Sequence, residues 1–397
     1  MKIIYVTEFF SEKMGYSENC LPKAMASLDN EVHIISSDLQ VYGNLPNYDD
    51  VYGKYLGPRK QPLVSKQING FTLHRLPHNL LYGYVNILGL KRKVEELKPD
   101  IVQTINCVSI NTMKIAAMKF FLRFKLFTEC HQHLSIVKPY LRNQNSNSVK
   151  KVIYFLTRTQ PGRIISLLTE KCYPIADDCA DVAHSFYGVQ KKKIKVIPLG
   201  TDTELFSPIV KDHEIVERYK LRRSLGIGDP EITCIYTGRF SEDKNPLLLS
   251  EAINNLNQKG LSFRAIFVGD GPQKQQIKKA ESSIIIDFVP YYDLPQYYCA
   301  SDIGVWPTQE STSMLDAASC GLPIVASSRI GTPDRINGNG FFYEQNDFID
   351  LARVLESLGP ENLRQEMGQI GRDKMLKSYS WRNIAKEYLS EYKYALS

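Results

Sequence analysis

From residue 231 onward the chain alternates strictly between short apolar runs and helix-patterned segments. The runs are "EITCIYTG", "FRAIFVGDG", "IIIDFVP", "IGVWPT" and "LPIVASS"; between them lie "NPLLLSEAINNLNQKG", "PQKQQIKKAES", "LPQYYCASD" and "SMLDAASCG". Apolar runs this short, without polar alternation, read as strands buried on both faces. Parallel strands need crossover connections, and the helical segments supply them. The pattern leaves one architecture, an open parallel sheet with helices on both faces.

The first half carries the same signature. "KIIYVT" is a strand, "ENCLPKAMASLDN" places Leu21, Ala24, Met25 and Leu28 at helical spacing, and "EVHIISSD" is a second strand. "FTLHRLP" reads as a strand, "KRKVEELKPDIVQTI" as a helix end and strand, and "FKLFTECH" as a further strand. "GRIISLLTEKCYPIADDCADVAHSFYGVQKKKIKVIPLG" reads as helix, strand, helix, basic turn and strand, whereas residues 38–70, rich in Tyr, Gly, Pro and Asn, read as loop. A chain of 397 residues is also too long for one comfortable core. The expectation is an α/β protein of two Rossmann-like lobes with a boundary near Ser207. The tail "SWRNIAKEYLSEYKYAL" is an amphipathic helix with Ile384, Tyr388 and Tyr392 in register.

Composition excludes several classes. A formal charge of +6 is too modest for a dedicated nucleic-acid binder, although a local basic face could meet phosphate or an anionic membrane. The eight cysteines are scattered without a C-x-x-C pair, which reads as reduced thiols. No apolar run reaches the length of a membrane span, and the start is soon interrupted by Glu8, Glu12 and Lys13, unlike a signal peptide. The expected location is cytoplasmic, with the inner face of a membrane as its variant. No G-x-G-x-x-G follows the first strand, and neither a G-x-x-x-x-G-K-[ST] nor a G-x-S-x-G occurs.

Ligands of open α/β sheets bind outside the carboxyl ends of the strands. Four polar loops fall there. "GRFSEDKNP" carries Arg239 and Lys244 just before a helix with Pro246 in its first turn. A guanidinium, an ammonium and a helix N-terminus together attract an anion. The same residues also suit a solvated loop with an ion pair to Glu242 or Asp243. "FVGDGP" has Gly269 and Gly271, which allow close backbone approach to a ligand or simply a tight turn. "PTQESTSMLDAASCGLP" sets Thr308, Glu310, Ser311, Thr312 and Ser313 before a helix bearing Asp316. Hydroxyl residues there cap the helix and leave N–H groups for an anion, and a carboxylate one turn on suits sugar hydroxyls. "FTECHQH" holds Cys130, His131 and His133. It lacks a placed fourth ligand and the wider paired spacing of zinc sites, so no metal is expected. A strand-end histidine could instead contact a sugar hydroxyl.

"VIPLGTDTELFSP", "YTGRFSEDKNPLLLSEA", "FVGDGP" and "LPQYYCASDIGVWPTQESTSMLDAASCGLPIVAS" stand in the order found in retaining glycosyltransferases of the GT-B fold. This is the large group 1 family that includes bacterial mannosyltransferases and sucrose-synthase-like enzymes. The chain resembles it strongly over residues 190–335, and more weakly around "DIVQTI", Thr128 and His131. The resemblance implies two Rossmann-like domains facing across a cleft: an acceptor domain (1–206), a nucleotide-sugar domain (207–376) and a C-terminal helix (377–397) returning to the first. It assigns Arg239 and Lys244 to the donor diphosphate, with Ser311, Thr312 and Ser313 beside it. Gly238, Gly269 and Asp270 line the nucleotide crevice, and Asp316, one methylene shorter than the family's Glu, holds the ribose. His131, favoured over His133, contacts the donor sugar, and Gly15 represents the glycine-rich first loop.

The chain departs from the family pattern in one stretch. The family's first Glu, eight residues before the second and in contact with the donor sugar, falls on Thr308; either Glu310, six residues before Asp316, serves in its place with a loop two residues shorter or the contact is remodelled, and hydroxyl residues replace the usual Gly-Phe-Gly. The implied reaction transfers a hexose or N-acetylhexosamine from a nucleotide sugar, UDP favoured over GDP, to a saccharide or lipid-linked acceptor. It proceeds with retention and without a metal or other cofactor. Residues 118–165 interleave aromatics such as Phe120, Phe121 and Tyr140 with Lys119, Arg142, Lys151 and Arg158, which suits a peripheral membrane contact or a core helix with a solvated basic face. The rival readings are a non-catalytic transferase-like partner subunit and a nucleotide-sugar epimerase.

Overall fold

A computed structural model of the chain describes residues 1–134, 137 and 152–397. The chain divides into two compact units, Met1–Leu199 with Arg382–Ser397, and Gly200–Trp381. These borders differ by several residues from the expected ones at 206/207 and 376/377.

The first unit is built on β1 (Lys2–Thr7), β2 (Glu31–Ser37), β3 (Ser65–Ile68), β4 (Phe71–Leu76), β5 (His78–Leu81), β6 (Tyr84–Ile87), β7 (Ile101–Thr104), β8 (Lys125–Cys130) and β9 (Lys171–Pro174). Seven of these form one sheet in the order β3-β4-β2-β1-β7-β8-β9, parallel except for β3. Ile3, Ile4, Tyr5, Ile34, Ile35, Ile101, Val102, Leu126 and Phe127 are fully buried, as expected of strands covered on both faces. Two readings are corrected here. Residues 38–70 contain β3 and a short helical turn over Asp49–Leu56, and "KIKVIPLG" makes a single bridge, Ile194 to Cys172, rather than a strand. The helix Trp381–Leu396 lays Ile384, Tyr388 and Tyr392 on this unit, with the Tyr388 ring 4.7 Å from Tyr173 and the Tyr392 ring 4.7 Å from Phe127.

The second unit has β10 (Ile232–Thr237), β11 (Phe263–Val268), β12 (Ser283–Ile286), β13 (Ile303–Trp306), β14 (Ile324–Ser327) and β15 (Gly340–Tyr343), all parallel, in the order β12-β11-β10-β13-β14-β15. The order reverses between β10 and β13, and in the first unit between β1 and β7. At such switch points the connections leave toward opposite faces, so a crevice opens at the strand ends. Among the described residues no helix is long and apolar enough to cross a membrane.

Candidate functional site

The carboxyl ends of β10 and β13 flank the switch point of the second unit, and most candidate residues lie on the loops that follow them. The β10 loop begins at Gly238 (φ 147°), and its backbone is zipped onto the β11 loop. Gly238 N donates to Val268 O at 3.0 Å, Phe240 N to Asp270 O at 2.9 Å, and Gln273 N to Phe240 O at 2.9 Å. Gly269 and Gly271 make this approach feasible. A Cβ on Gly269 would lie 2.0 Å from the Gly238 carbonyl oxygen, and one on Gly271 2.7 Å from that of Phe240. Phe240 is fully buried near Tyr236 and Phe267, an anchor of about 2–3 kcal/mol for the loop. The Tyr236 hydroxyl donates to Arg239 O at 2.8 Å.

On this fixed backbone the Arg239 side chain is exposed and meets Asp243 at 3.5 Å, a weak surface pair. Lys244 is half-buried, its ammonium 3.4 Å from the backbone oxygen of Glu310. Burial pulls its pKa below the ordinary lysine value; Asp243 opposes this, Arg239 adds to it, and Glu310 opposes it more weakly. A half-buried cation beside a second cation gains from an arriving anion. The helix here is Leu247–Gln258, with Pro246 at its N-cap rather than inside its first turn.

On the β13 loop, Thr308 donates its hydroxyl to Lys244 O at 3.1 Å, so it faces the lysine's backbone. Glu310 accepts from Gly331 N at 3.4 Å. The helix Ser313–Ser319 starts differently from expectation, because Thr312 makes no capping bond. Ser313 N donates to Ser311 Oγ, Ser311 N reaches the Met314 sulfur, and the two serine hydroxyls lie 2.7 Å apart. The buried Trp306 indole donates to Ser313 Oγ at 3.1 Å. The Ser311 and Ser313 amides, expected to be left for an anion, are therefore engaged within the loop. Asp270 accepts from Gly271 N at 2.9 Å and pairs with Lys274 at 3.5 Å.

Asp316 is the carboxylate that the resemblance places at the ribose. It is 6% exposed, and its Oδ1 accepts from Thr201 Oγ1 at 2.6 Å. Burial raises its pKa to about 7, Thr201 opposes the rise, and Asp202 adds to it. Thr201 was not singled out from sequence, although it sits in the quoted "VIPLGTDTELFSP" segment. The contact spans 115 positions, beyond the reach of local patterning.

Gly15 and His131 belong to the first unit. Gly15 lies two residues before the helix Ser17–Ala26, whose Glu18 is close enough to His131 for their charges to interact. His131 Nε2 is 2.5 Å from Oε2 of Glu129, a residue sequence reasoning passed over. Burial lowers the His131 pKa, but the Glu129 bond and charge, helped by Glu18, leave it raised. His133 instead meets both carboxylate oxygens of Asp178 at 3.1 Å, and Cys179 at 3.6 Å. Cys130, His131 and His133 do not converge. Cys130 interacts with Cys107, on the opposite side of the strand from its neighbours at 129 and 131. The geometry of His133, Asp178 and Cys179 could admit a metal ion, but hydrogen bonds among the three already account for their proximity.

Two family models match the chain: Glycosyltransferase Family 4 over residues 21–205 and Glycosyl transferases group 1 over residues 231–359. Spore coat protein SA of Bacillus subtilis is 23% identical over 55% of this chain and 63% of its own length. A sulfoquinovosyl transferase of Arabidopsis thaliana is 30% identical over 46% of this chain and 36% of its own. The chain thus spans less than two thirds of either relative. The Escherichia coli UDP-Gal:alpha-D-GlcNAc-diphosphoundecaprenol alpha-1,3-galactosyltransferase is 26% identical over 48% and 52%. Among solved structures, sucrose-phosphate synthase of Thermosynechococcus elongatus aligns over 100% of both chains with a TM-score of 0.69 at 18% identity. HepE of Anabaena, crystallised with UDP, aligns over 98% of this chain and 99% of its own at 0.69 and 17%. With both domain models matched and the fold shared from end to end, the chain belongs to the group 1 and family 4 glycosyltransferases of the GT-B fold.

Proposed function

We propose that the protein transfers a hexose or N-acetylhexosamine from a nucleotide sugar, UDP-linked in the first instance, to a saccharide or lipid-linked acceptor, with retention and without a divalent metal. The observation that carries this reading is the pair Arg239 and Lys244, set beside the close-packed backbone at Gly238, Gly269 and Gly271. Breaking the sugar–phosphate bond adds negative charge to the diphosphate. Two preorganised cations aimed at that charge stabilise the transition state more than the ground state. An Arg and a Lys can perform the neutralisation that a metal performs elsewhere. In this reading Glu310, whose backbone adjoins Lys244, takes the donor sugar, and Asp316, with Thr201, the ribose. HepE, crystallised with UDP, and the E. coli enzyme named for UDP-Gal favour UDP as the nucleotide to test first.

The lipid-linked acceptor has its own support. Phe120, Phe121 and Tyr82 are 72%, 80% and 99% exposed in the first unit. Lys91 lies 5.9 Å over the Phe121 ring and Arg158 4.4 Å over the Tyr84 ring, whereas Lys119 is turned inward to Leu168 O and Glu170. Exposed aromatics among cations suit an anionic membrane surface. Tyr140, Arg142 and Lys151 of the expected patch lie outside the described residues.

The test is incubation of the full chain with UDP-hexoses and polyprenyl-diphosphate saccharides, with and without EDTA, followed by NMR of the product anomer. Transfer that persists in EDTA and keeps the donor's configuration supports the reading. Transfer abolished by EDTA, or inversion, contradicts it. A protein that binds UDP yet transfers and hydrolyses nothing would favour the partner-subunit reading.

A further inference from the structure

Behind His131 lies a buried hydrogen-bonded chain that no site residue named so far requires. Tyr5 on β1, Gln103 on β7 and Glu129 on β8 sit on adjacent strands, and each is no more than 1% exposed. The Tyr5 hydroxyl donates to Glu129 Oε1 at 2.8 Å and accepts from Gln103 Nε2 at 2.8 Å. Gln103 Nε2 also donates to Glu129 Oε1, and the Tyr392 hydroxyl, on the C-terminal helix, donates to Gln103 Oε1. Glu129 Oε2 is left for His131 Nε2. Each oxygen of the carboxylate is thus committed.

A purely structural role would not need a carboxylate here. Burying a charge costs several kcal/mol unless it is paired, and a glutamine could fill the same shape. Among the described residues the group able to carry a positive charge against Glu129 is His131, about a quarter exposed, at the mouth of β8. Spacing of two along a strand puts both residues on one face, so the buried member can hold the one at the strand end. With Nε2 held, Nδ1 is the ring nitrogen left to meet a ligand.

We infer that Glu129 is a positioning residue for His131. It clamps Nε2 and turns Nδ1 outward, while Tyr5, Gln103 and Tyr392 fix Glu129 from within the unit. The inference rests on the reading of His131 as the residue that meets the donor sugar. Among the described residues, the charged or titratable groups facing the imidazole are Glu129 and Cys130 at the end of β8 and Glu18 on the helix Ser17–Ala26; Tyr5, Tyr173, Tyr388 and Tyr392 face Glu129 from behind.

The experiment is a pH titration of the His131 ring by ¹³C/¹⁵N NMR in the full-length protein, assigned with His131→Ala. The native ring should titrate above a free histidine and carry its proton on Nε2 when neutral. Glu129→Gln should lower the midpoint by about 1–3 pH units, and Tyr392→Phe should lower it less, in the same direction. A native ring that titrates at or below the free value, or that protonates Nδ1 when neutral, overturns the inference, and this readout needs no variant to fold. So does a folded Glu129→Gln protein with an unchanged midpoint. If the ring behaves as expected while His131→Ala keeps full sugar transfer, the clamp stands and the sugar-contact reading falls.

Discussion

Replacing Asp316 by asparagine should remove a fall in stability that the native protein undergoes between about pH 4 and pH 7. Burial raises this carboxyl from its ordinary 3.8 to about 7. In that window the native state holds a proton that the unfolded chain has lost, so the native state binds more protons and stability falls as pH rises. Below the window both states are protonated; above it both are ionised and the whole cost is present. A difference of about 3 pH units, at about 1.36 kcal/mol each, sets the cost near 4 kcal/mol at most. Asparagine matches the protonated carboxyl in shape and can still accept from Thr201. Any fixed penalty from its amide shifts the variant equally at every pH. The assay is urea unfolding of both proteins at several pH values from 4 to 8. The variant minus native difference should rise across the window by up to about 4 kcal/mol and level off above pH 7. A difference that stays flat would refute the reasoning. A carboxylate that costs stability at neutral pH fits a residue kept for a ligand rather than for the fold.

Other variants test the loop geometry and the support beneath it. Gly269→Ala would set a Cβ 2.0 Å from Gly238 O at a φ of 146°, so the two loops must part. Stability should drop by about 2–4 kcal/mol in urea unfolding, and nucleotide affinity by about tenfold or more. Arg372→Leu would strip the guanidinium's bonds from the backbone oxygens of Thr203 and Ser319, both at 3.0 Å, and leave that of Phe206 with the Ser319 hydroxyl as its remaining side-chain donor. A loss of about 2–4 kcal/mol is expected, with the helix Ser313–Ser319 among the first segments to gain hydrogen exchange. Phe120→Ser combined with Phe121→Ser should cut sedimentation with anionic vesicles while leaving UDP affinity unchanged; equal sedimentation would remove the membrane contact.

The strands that position the site were legible because they are covered on both faces and therefore read as unbroken apolar runs. The ones missed lie at edges. β3 ("SKQI") and β5 ("HNLL") are largely exposed, so nothing in their composition demanded a strand. Arg239 and Lys244 stand out as candidates in the sequence because they are local to one loop. The partners of Asp316 and His131 are different cases. Thr201 meets Asp316 across 115 positions, which no local period reveals. Glu129 did leave a signal, the two-residue spacing to His131, but one such pair at a strand end is common without any contact between its members. The helix start at Ser313 misled because the hydroxyls of Ser311 and Ser313 satisfy each other and Trp306, a use of serine that competes with capping.

The most direct test of the central claim is metal-free calorimetric titration of the native protein and Arg239→Ala with UDP and GDP. The account predicts that one nucleotide, UDP in the first instance, binds the native protein and binds the variant about 10–100-fold more weakly, as loss of a charge-assisted hydrogen bond requires. Equal binding by the variant, or silence of the native protein toward UDP, GDP, ADP and dTDP alike, would contradict a diphosphate clamp at Arg239 and Lys244.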